Sequence, residues 1–230
     1  NSKISMLVWV RAIFLVMSGK RGMSALELQR QLGLSSYGTT WNMLMKIRRA
    51  LAERDEGYKL KNIVELDGAL FGRRENNNQA SILVAVETKS WIDDKGRPKS
   101  KAGFAKVVVT QEDKMSAQSF VNKHIEKNTH VNVDASKSFR NLKGVDVDWR
   151  QMNGDRKELN QWLPWVHRYI SNAKAWVIGT HHGIDMKYLE EYLAEYTYRF
   201  NRRHDPDSLF FRAITACSKA TPITIHALTG

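Results

Sequence analysis

The sequence is poor in the residues that form disulfides, zinc sites and membrane spans. Cys217 is the only cysteine among 230 residues, which excludes an internal disulfide and a zinc site built from cysteines alone. The most apolar early stretch, residues 6–17, is interrupted by Arg11 and is shorter than the ~20 residues that cross a bilayer. No signal-peptide cleavage pattern follows it. These absences predict a cytoplasmic protein without a membrane partner, whose first apolar stretch is a buried helix.

Acidic residues are also scarce relative to basic ones. The chain carries 36 lysines and arginines against 24 aspartates and glutamates, which gives a net charge of +12 and a pI near 9.8. Such an excess favours polyanionic partners, because each neutralised phosphate releases condensed counterions. A hydrophobic fraction of 42% is enough for a sizeable core. The balance predicts a globular protein that binds nucleic acid, with a merely soluble basic surface as the alternative.

Residues 1–57 are predicted to form an all-α helix-turn-helix domain. An apolar pattern at helical spacing opens the chain. Ser24 is a good N-cap for a second helix, a glutamate three residues later completes a capping box, and Gly33 is a plausible left-handed C-cap. Ser35 or Ser36 can cap a third helix. Two helices joined by a short turn with a glycine are typical of a helix-turn-helix, although an ordinary three-helix bundle has the same pattern.

The third helix of a helix-turn-helix presents its exposed side chains to DNA. Polar residues near its start can reach base edges, and basic residues further on can reach phosphates. The predicted contacts are Ser36, Tyr37, Thr39, Thr40 and Asn42 for bases, and Lys46, Arg48 and Arg49 for phosphates.

Residues 58–204 have the pattern of a second, α/β domain, and residues 205–230 that of a C-terminal tail. Three strand patterns joined by turns predict an antiparallel meander, and a helix between later strands predicts a parallel crossover. The expected strands cover residues 63–67, 81–88, 104–110 and 129–133, and the expected helices 116–127, 136–142, 164–178 and 185–202, with a loop at 145–162. This order is that of an RNase H-like mixed sheet flanked by helices.

Two aspartates follow strands that should be neighbours in such a sheet. Asp67 comes at the end of the first strand pattern and Asp134 directly after the fourth. In this strand order the two strands lie side by side and parallel, so the two carboxylates approach one another. A divalent cation relieves their repulsion, and oxygen-only ligands suit Mg²⁺ or Mn²⁺. The pair predicts two-metal phosphoryl transfer, although an aspartate at a strand end is more often only a turn residue.

The helix predicted from Pro164 should supply a third ligand, yet it contains no acid before Asp185. His167 and Lys174 are seven positions apart, so they share one helix face, whereas Asn172 lies about 140° away from His167. A neutral histidine can bind metal and a lysine can hold a DNA phosphate. A lone histidine on a helix is, however, usually just a satisfied polar residue.

Several motifs resemble those of the ISXO2-like insertion-sequence transposases, a DDE-type family. The shared strings are Val64-Glu65-Leu66-Asp67 followed by Gly72, Val133-Asp134, His167-Arg168-Tyr169-Ile170-Ser171-Asn172-Ala173-Lys174, Gly179-Thr180-His181-His182-Gly183, Tyr192-Leu193-Ala194-Glu195-Tyr196 and Arg199-Phe200-Asn201-Arg202-Arg203. The resemblance covers roughly residues 3–217.

The resemblance implies metal-dependent cutting and joining of DNA at the ends of a mobile element, in a bacterial, nucleoid-associated protein. It implies Asp67 and Asp134 as the first two acids, His167 as the third ligand with Asn172 as fallback, and Lys174 as the associated lysine. Partners would be duplex DNA, both transposon ends and target, and further copies of the chain in a homo-oligomer.

The chain departs from the family pattern at two places. Gly68 stands where members often carry a second acid directly after the first, and Arg73 stands where a second glycine is usual, while Glu65 remains nearby. Members also tend to begin with a four-cysteine zinc ribbon, so this segment either precedes the present sequence or is missing from this member. A DNA-binding regulator with an inactive RNase H-like core is therefore the alternative, and a nuclease that cuts without joining is a third hypothesis.

Other basic and imidazole side chains are predicted to contact DNA. His181 and His182 have an ordinary capped loop as their alternative, and the arginines near the end of the last long helix also suit its dipole. The turn-like segment after the first strand and a basic hairpin tip complete the set, although the tip is also explained as a solvated turn. The residues are Arg73, Arg74, His181, His182, Arg202 and Arg203, with Lys95, Arg97, Lys99 and Lys101 at the hairpin tip.

Overall fold

The computed structural model describes residues 3–73, 78–151, 158 and 161–229, which divide into two compact units. The helical unit comprises Asn1–Gly57, Trp176–Ile184 and Glu191–Gly230. The sheet unit comprises Tyr58–Ala175 and Asp185–Glu190. None of the described helices is both long enough and apolar enough to cross a membrane.

The helical unit is built on the three predicted N-terminal helices and on helices from the end of the chain. Its helices are α1 (Met6–Ser18), α2 (Ala25–Leu32), α3 (Tyr37–Asp55), most of α6 (Leu189–Asn201), α7 (Leu209–Lys219) and α8 (Ile225–Thr229), together with the end of α5 (Pro164–His181). The predicted caps are confirmed: Ser24 Oγ accepts from the Glu27 N–H at 3.2 Å, and Gly33 is left-handed at φ +66°. Ser36, and not Ser35, caps α3.

The end of the chain packs against its beginning. The domain boundary expected between residues 204 and 205 therefore falls inside the helical unit. Helix α7 buries Leu209, Ala213 and Ala216, which recur at helical spacing. These side chains join one core with residues of α1 and α3, such as Val16 and Leu44. An amphipathic helix must bury its apolar face against another element, and the N-terminal helices provide that surface.

The sheet unit has five strands in the order β3-β2-β1-β4-β5. Strands β1 (Ile63–Arg73), β2 (Asn78–Ile92) and β3 (Pro98–Val109) are antiparallel, while β4 (His130–Val133) is parallel to β1 and β5 (Asp146–Trp149) is parallel to β4. Three antiparallel strands followed by parallel ones confirm the predicted RNase H-like mixed sheet, here flanked by helices.

Three local expectations differ from the structure. Strand β5 lies in the stretch expected to be a loop, because its short Asp-Val-Asp-Trp run has too few residues for a strand signal. Residues 136–142 hold only a 3₁₀ turn at Lys137–Phe139 in place of the expected helix. Helix α5 continues through Gly179, since a glycine lowers helix stability by only about 1 kcal/mol. The left-handed conformations come later, at His182 and Gly183 (φ +53° and +117°).

The sheet carries a helix on each face, and alternate strand residues serve each one. On one side Val64 and Leu66 pack with Phe120 of helix α4 (Lys114–His124) in a continuous apolar cluster. Glu65 and Asp67 alternate with them and therefore point to the other side, toward the first turns of α5. The face that carries the two acids is thus the face covered by α5.

Candidate active site

Asp67 and Asp134 occupy equivalent positions on neighbouring parallel strands. The register pairs Leu66 of β1 with Val133 of β4, so the residue that follows each of them is one of the two aspartates. Strand β4 ends at Val133, whereas β1 continues to Arg73. Asp67 therefore lies where β1 loses its parallel neighbour and not, as expected, at the end of its own strand. The two carboxylates therefore lie close together, at the place where β4 has ended and β1 continues.

His167 reaches the acid pair from helix α5. Its Nε2 lies 3.2 Å from Asp67 Oδ2, and the two side chains are only 19% and 15% exposed. His167 also lies near enough to Asp134 to lower the pKa of that carboxyl. Asn172, the fallback ligand, is an exposed residue of the same helix. The structure thus brings together Asp67, Asp134 and His167, from three distant stretches of chain.

Glu65 explains why helix α5 begins beside the acids. Its buried Oε2 accepts the backbone N–H groups of Trp165 and Val166 at 2.7 and 2.8 Å, and its Oε1 accepts from the Thr88 hydroxyl at 2.9 Å. A carboxylate at a helix N-terminus satisfies donors that have no partner within the helix and complements the helix dipole. Burial raises the pKa of Glu65, and these hydrogen bonds offset part of that effect. Glu65 therefore positions the helix that carries His167.

Glu112, in the loop before α4, is a third carboxylate at the site and was missed by sequence reasoning. Its Oε1 accepts from the Ser136 hydroxyl at 2.6 Å, and the Ser136 backbone N–H in turn donates to Asp134 Oδ1 at 3.0 Å. A Cβ added at Gly68 would overlap the Glu112 carboxylate. Glu112 therefore occupies the space beside the position where the family resemblance led us to expect a second acid. The absent side chain at Gly68 was the one available signal.

The carboxylates raise one another's proton affinity. Burial raises the pKa of Asp134, and the nearby charge of Asp67 raises it further. Partial burial also raises the pKa of Glu112, and the charges of Asp134 and Asp67 add to it. Mutual repulsion of this kind is what a divalent cation relieves. As the side chains stand, no three His, Cys, Asp or Glu residues in the described part of the chain are grouped closely enough to hold a metal ion.

Comparison with known protein families identifies the family of this chain. The ISXO2-like transposase domain matches residues 59–201, more than half of the chain and the whole of the acid site. The chain belongs to the ISXO2-like transposase family. The comparison with curated proteins found no match.

A similarity to a solved structure was also found. It is to a chain of the cryo-EM structure of the simian T-cell lymphotropic virus intasome in complex with PP2A regulatory subunit B56 gamma. The identity is 14% at a TM-score of 0.33, over 82% of this chain and 65% of that chain. The present chain therefore spans less than two thirds of that chain's length.

Lys174, the lysine that the family resemblance associates with the acids, stays at the surface. Lys174 is exposed, and its Nζ lies 5.7 Å from the centroid of the Phe71 ring on strand β1.

The predicted DNA face of helix α3 is only partly available. Tyr37 is 52% exposed, whereas Thr40 is buried and its hydroxyl donates to the Ser36 carbonyl at 3.1 Å. Arg48 is fully buried in an ion pair with Glu195. Thr40 and Arg48 are therefore withdrawn from the expected contacts, and Glu195 and Tyr192 of α6 cover Arg48. Thr39, Asn42 and Lys46 are half-buried, and Arg49 is exposed but lies 3.3 Å from Glu191.

The other expected DNA contacts divide into exposed and internal side chains. His182 is exposed, but His181 stacks edge-on with Trp176 and Tyr192 at 4.7 Å, and burial lowers its pKa to about 3. Arg202 forms a two-pronged pair with Asp55 at 2.5 and 3.1 Å.

Arg203 is half-buried, and its side chain donates to the Phe200 carbonyl at 2.6 Å. His181, Arg202 and Arg203 thus each have partners within the helical unit. The Arg73 side chain and all of Arg74 lie outside the described residues.

Proposed function

We propose that the chain cuts DNA strands at the ends of an insertion sequence and joins the freed 3′ ends to target DNA. The observation that carries this proposal is the adjacency of Asp67 and Asp134 on parallel strands, with His167 against them, in a chain of a transposase family. The exposed Lys174 lies two turns further along the helix that carries His167.

The donor set fits Mg²⁺ or Mn²⁺. Three carboxylates supply oxygen ligands and the imidazole supplies one nitrogen, and none of the three carboxylates forms an ion pair with a described lysine or arginine. When bound, such ions would supply Lewis-acid stabilisation for the attacking and leaving oxygens of phosphoryl transfer. Asp67, Asp134, Glu112 and His167 are the residues that would hold them after small side-chain movements.

The remaining residues of the site bind and orient. Glu65 fixes the first turn of α5, so that His167 is held toward the acids. Lys174, two turns further along the same face, would bind a phosphate of the reacting strand. On the helical unit, Tyr37 and the half-buried Thr39, Asn42 and Lys46 form the DNA face that we propose for α3.

The test compares Asp67→Asn with Asp146→Asn, which makes the same charge change on edge strand β5 where the side chain is 74% exposed. Labelled duplexes carrying the element's ends are incubated with Mn²⁺, and nicking, joining and DNA affinity are measured. Asp67→Asn should abolish nicking and joining while DNA affinity stays within about twofold, and Asp146→Asn should retain both.

Each alternative has its own outcome in this experiment. DNA binding without any metal-dependent nicking by the unsubstituted chain would establish a DNA-binding regulator with an inactive core. Nicking without joining would establish a nuclease. Either result overturns the proposal.

The place of Glu112 in the donor set is tested by metal binding, independently of activity. Glu112→Gln should weaken Mn²⁺ binding in isothermal titration calorimetry by roughly 10–100-fold, as for other changes at metal sites. Glu126→Gln, an exposed acid of the same unit, is the matched control and should bind Mn²⁺ like the unsubstituted chain. Equal affinity in the two variants would remove Glu112 from the site.

A further inference from the structure

Strands β2 and β3 continue as a two-stranded ribbon beyond the rest of the sheet. Strand β1 begins at Ile63, which pairs with Thr88, so from residue 89 onward β2 has only β3 as its neighbour. The ribbon consists of residues 89–92 paired with 98–101, and all eight side chains are exposed. Alternate side chains of such a paired segment lie on its two opposite faces.

The turn that closes the ribbon is held by Asp93. Its Oδ1 accepts the backbone N–H groups of Lys95 and Arg97 at 3.0 and 2.9 Å, and its Oδ2 accepts from the Arg97 side chain at 3.0 Å. These hydrogen bonds lower the pKa of Asp93. Gly96 takes the left-handed conformation at φ +72°. The ribbon is therefore a defined projection with a closed tip, in which Arg97 is already paired.

One face of the ribbon is basic and aromatic. The register places Lys89 opposite Lys101 and Trp91 opposite Lys99, and alternate strand residues share a face. The other face carries Ser90, Ser100, Ile92 and Pro98 by the same register. Three lysines and one tryptophan thus line a single side of the projection.

The three lysines have no described acidic partner. None of Lys89, Lys99 and Lys101 forms an ion pair with a carboxylate of the described residues, and Lys101 Nζ lies 5.6 Å from the Trp91 ring centroid. Like charges directly opposite each other on two strands are destabilising. Repulsion between Lys89 and Lys101 therefore lowers the stability of the protein without DNA. A polyanion bound across the two lysines would offset this loss.

The ribbon is anchored to the first turn of α5 by its other face. The Trp165 indole N–H donates to Ser100 Oγ at 3.3 Å, and Trp165 is one of the two residues whose N–H groups Glu65 caps. Along β2, Lys89 and Trp91 lie five and seven residues from Val84, the partner of Asp67. At a rise of about 3.3 Å per residue this is roughly 17–23 Å from the acids, about five to seven base pairs of B-form DNA.

We infer that the lysine face of this ribbon binds the phosphates of duplex DNA, several base pairs from the strand that occupies the acid site. The inference rests on the proposed function, since it takes DNA as the substrate. A two-stranded ribbon has the width to enter a major groove, and lysines act on phosphates as point charges without reading sequence. Contact with the ribbon strengthens binding to any duplex long enough to reach it.

The test removes the three ribbon charges in the full chain. Lys89→Gln/Lys99→Gln/Lys101→Gln is compared with Lys114→Gln/Lys127→Gln/Lys143→Gln, three exposed lysines of the same unit with the same change in net charge. Affinity for a 30-base-pair duplex is measured by fluorescence anisotropy from 50 to 300 mM salt. Thermal unfolding shows that the ribbon variant is folded, because removing the Lys89–Lys101 repulsion should leave its melting temperature unchanged or higher.

The expected result is a change in salt dependence. Loss of two or three phosphate contacts should reduce the slope of log K against log salt by about 2–3, and weaken binding at 0.1 M salt by roughly 100-fold, while the control triple variant keeps the slope of the unsubstituted chain. An unchanged slope in the ribbon variant, or the same reduction in both variants, overturns the ribbon's role and leaves the acid site untouched. No DNA binding by the unsubstituted chain overturns both.

Discussion

Replacement of Arg48 tests whether this side chain stabilises the fold or, as its position in the sequence indicated, contacts DNA. Arg48 Nε donates to Glu195 Oε2 at 2.8 Å, both side chains are fully buried, and the guanidinium carbon lies 3.7 Å from the Tyr192 ring centroid. Arg48 Nη2 and Glu195 Oε1 have no hydrogen-bond partner among the described residues. The pair is thus buried and incompletely satisfied.

The cost of Arg48→Met follows from the charge it leaves behind. Removing one partner of a buried ion pair costs about 3–5 kcal/mol, because the other charge remains uncompensated. Arg199 also interacts electrostatically with Glu195, so the lower end applies. We expect the chain to lose about 3 kcal/mol of unfolding free energy, or roughly 6–12 °C in melting temperature for a protein of this size. The double variant Arg48→Met/Glu195→Leu removes both charges of the pair, while Arg199 keeps its hydrogen bonds to the carbonyls of Val16, Met17 and Gly19. Its stability should therefore recover to within about 1 kcal/mol of the unsubstituted chain.

Guanidinium denaturation followed by circular dichroism measures these differences, and anisotropy with duplex DNA accompanies it. A phosphate-contacting Arg48 would give the reverse pattern, with unchanged stability and a salt slope reduced by about 0.9. A loss below 1 kcal/mol in the single variant, or a double variant as unstable as the sum of both single variants, would refute the reasoning.

Three further predictions concern the sheet unit. Glu65→Ala leaves two N–H groups of α5 without an acceptor and should lower the free energy of unfolding by about 2–3 kcal/mol, measured by denaturation. Glu65→Gln should lower it less, and equal losses in the two variants would contradict the capping role. Gly68→Ala should displace the Glu112 carboxylate and weaken Mn²⁺ binding as Glu112→Gln does, and normal binding by calorimetry would count against it. Burial, together with the charges of Lys106, Lys123 and Lys59, lowers the pKa of His124 to about 4. As the pH falls below 6.5, this imidazole is therefore protonated in the unfolded chain before it is protonated in the folded one. The stability lost between pH 7.5 and 5 should therefore be about 2 kcal/mol smaller in His124→Gln, and an identical pH profile would exclude this contribution.

Much of the fold and part of the site could be predicted from local sequence. The caps at Ser24 and Gly33 depend on side chains a few residues apart, and the strand patterns depend on alternation within each strand, so both are visible without a partner. Asp67 and Asp134 could be paired because strand order alone makes their strands neighbours. The family motifs around His167 then supplied the helix that faces them.

Burial and long-range pairing were decided only by the tertiary structure. Arg48 is buried against Glu195, and Arg202 is held by Asp55. No local pattern reports either partner, because each lies 147 residues away along the chain. Glu112 looks like an ordinary loop acid until the chain brings it beside Gly68 and Ser136. Periodicity specifies which face of an element is apolar, but only the folded chain determines which polar groups share the space between elements.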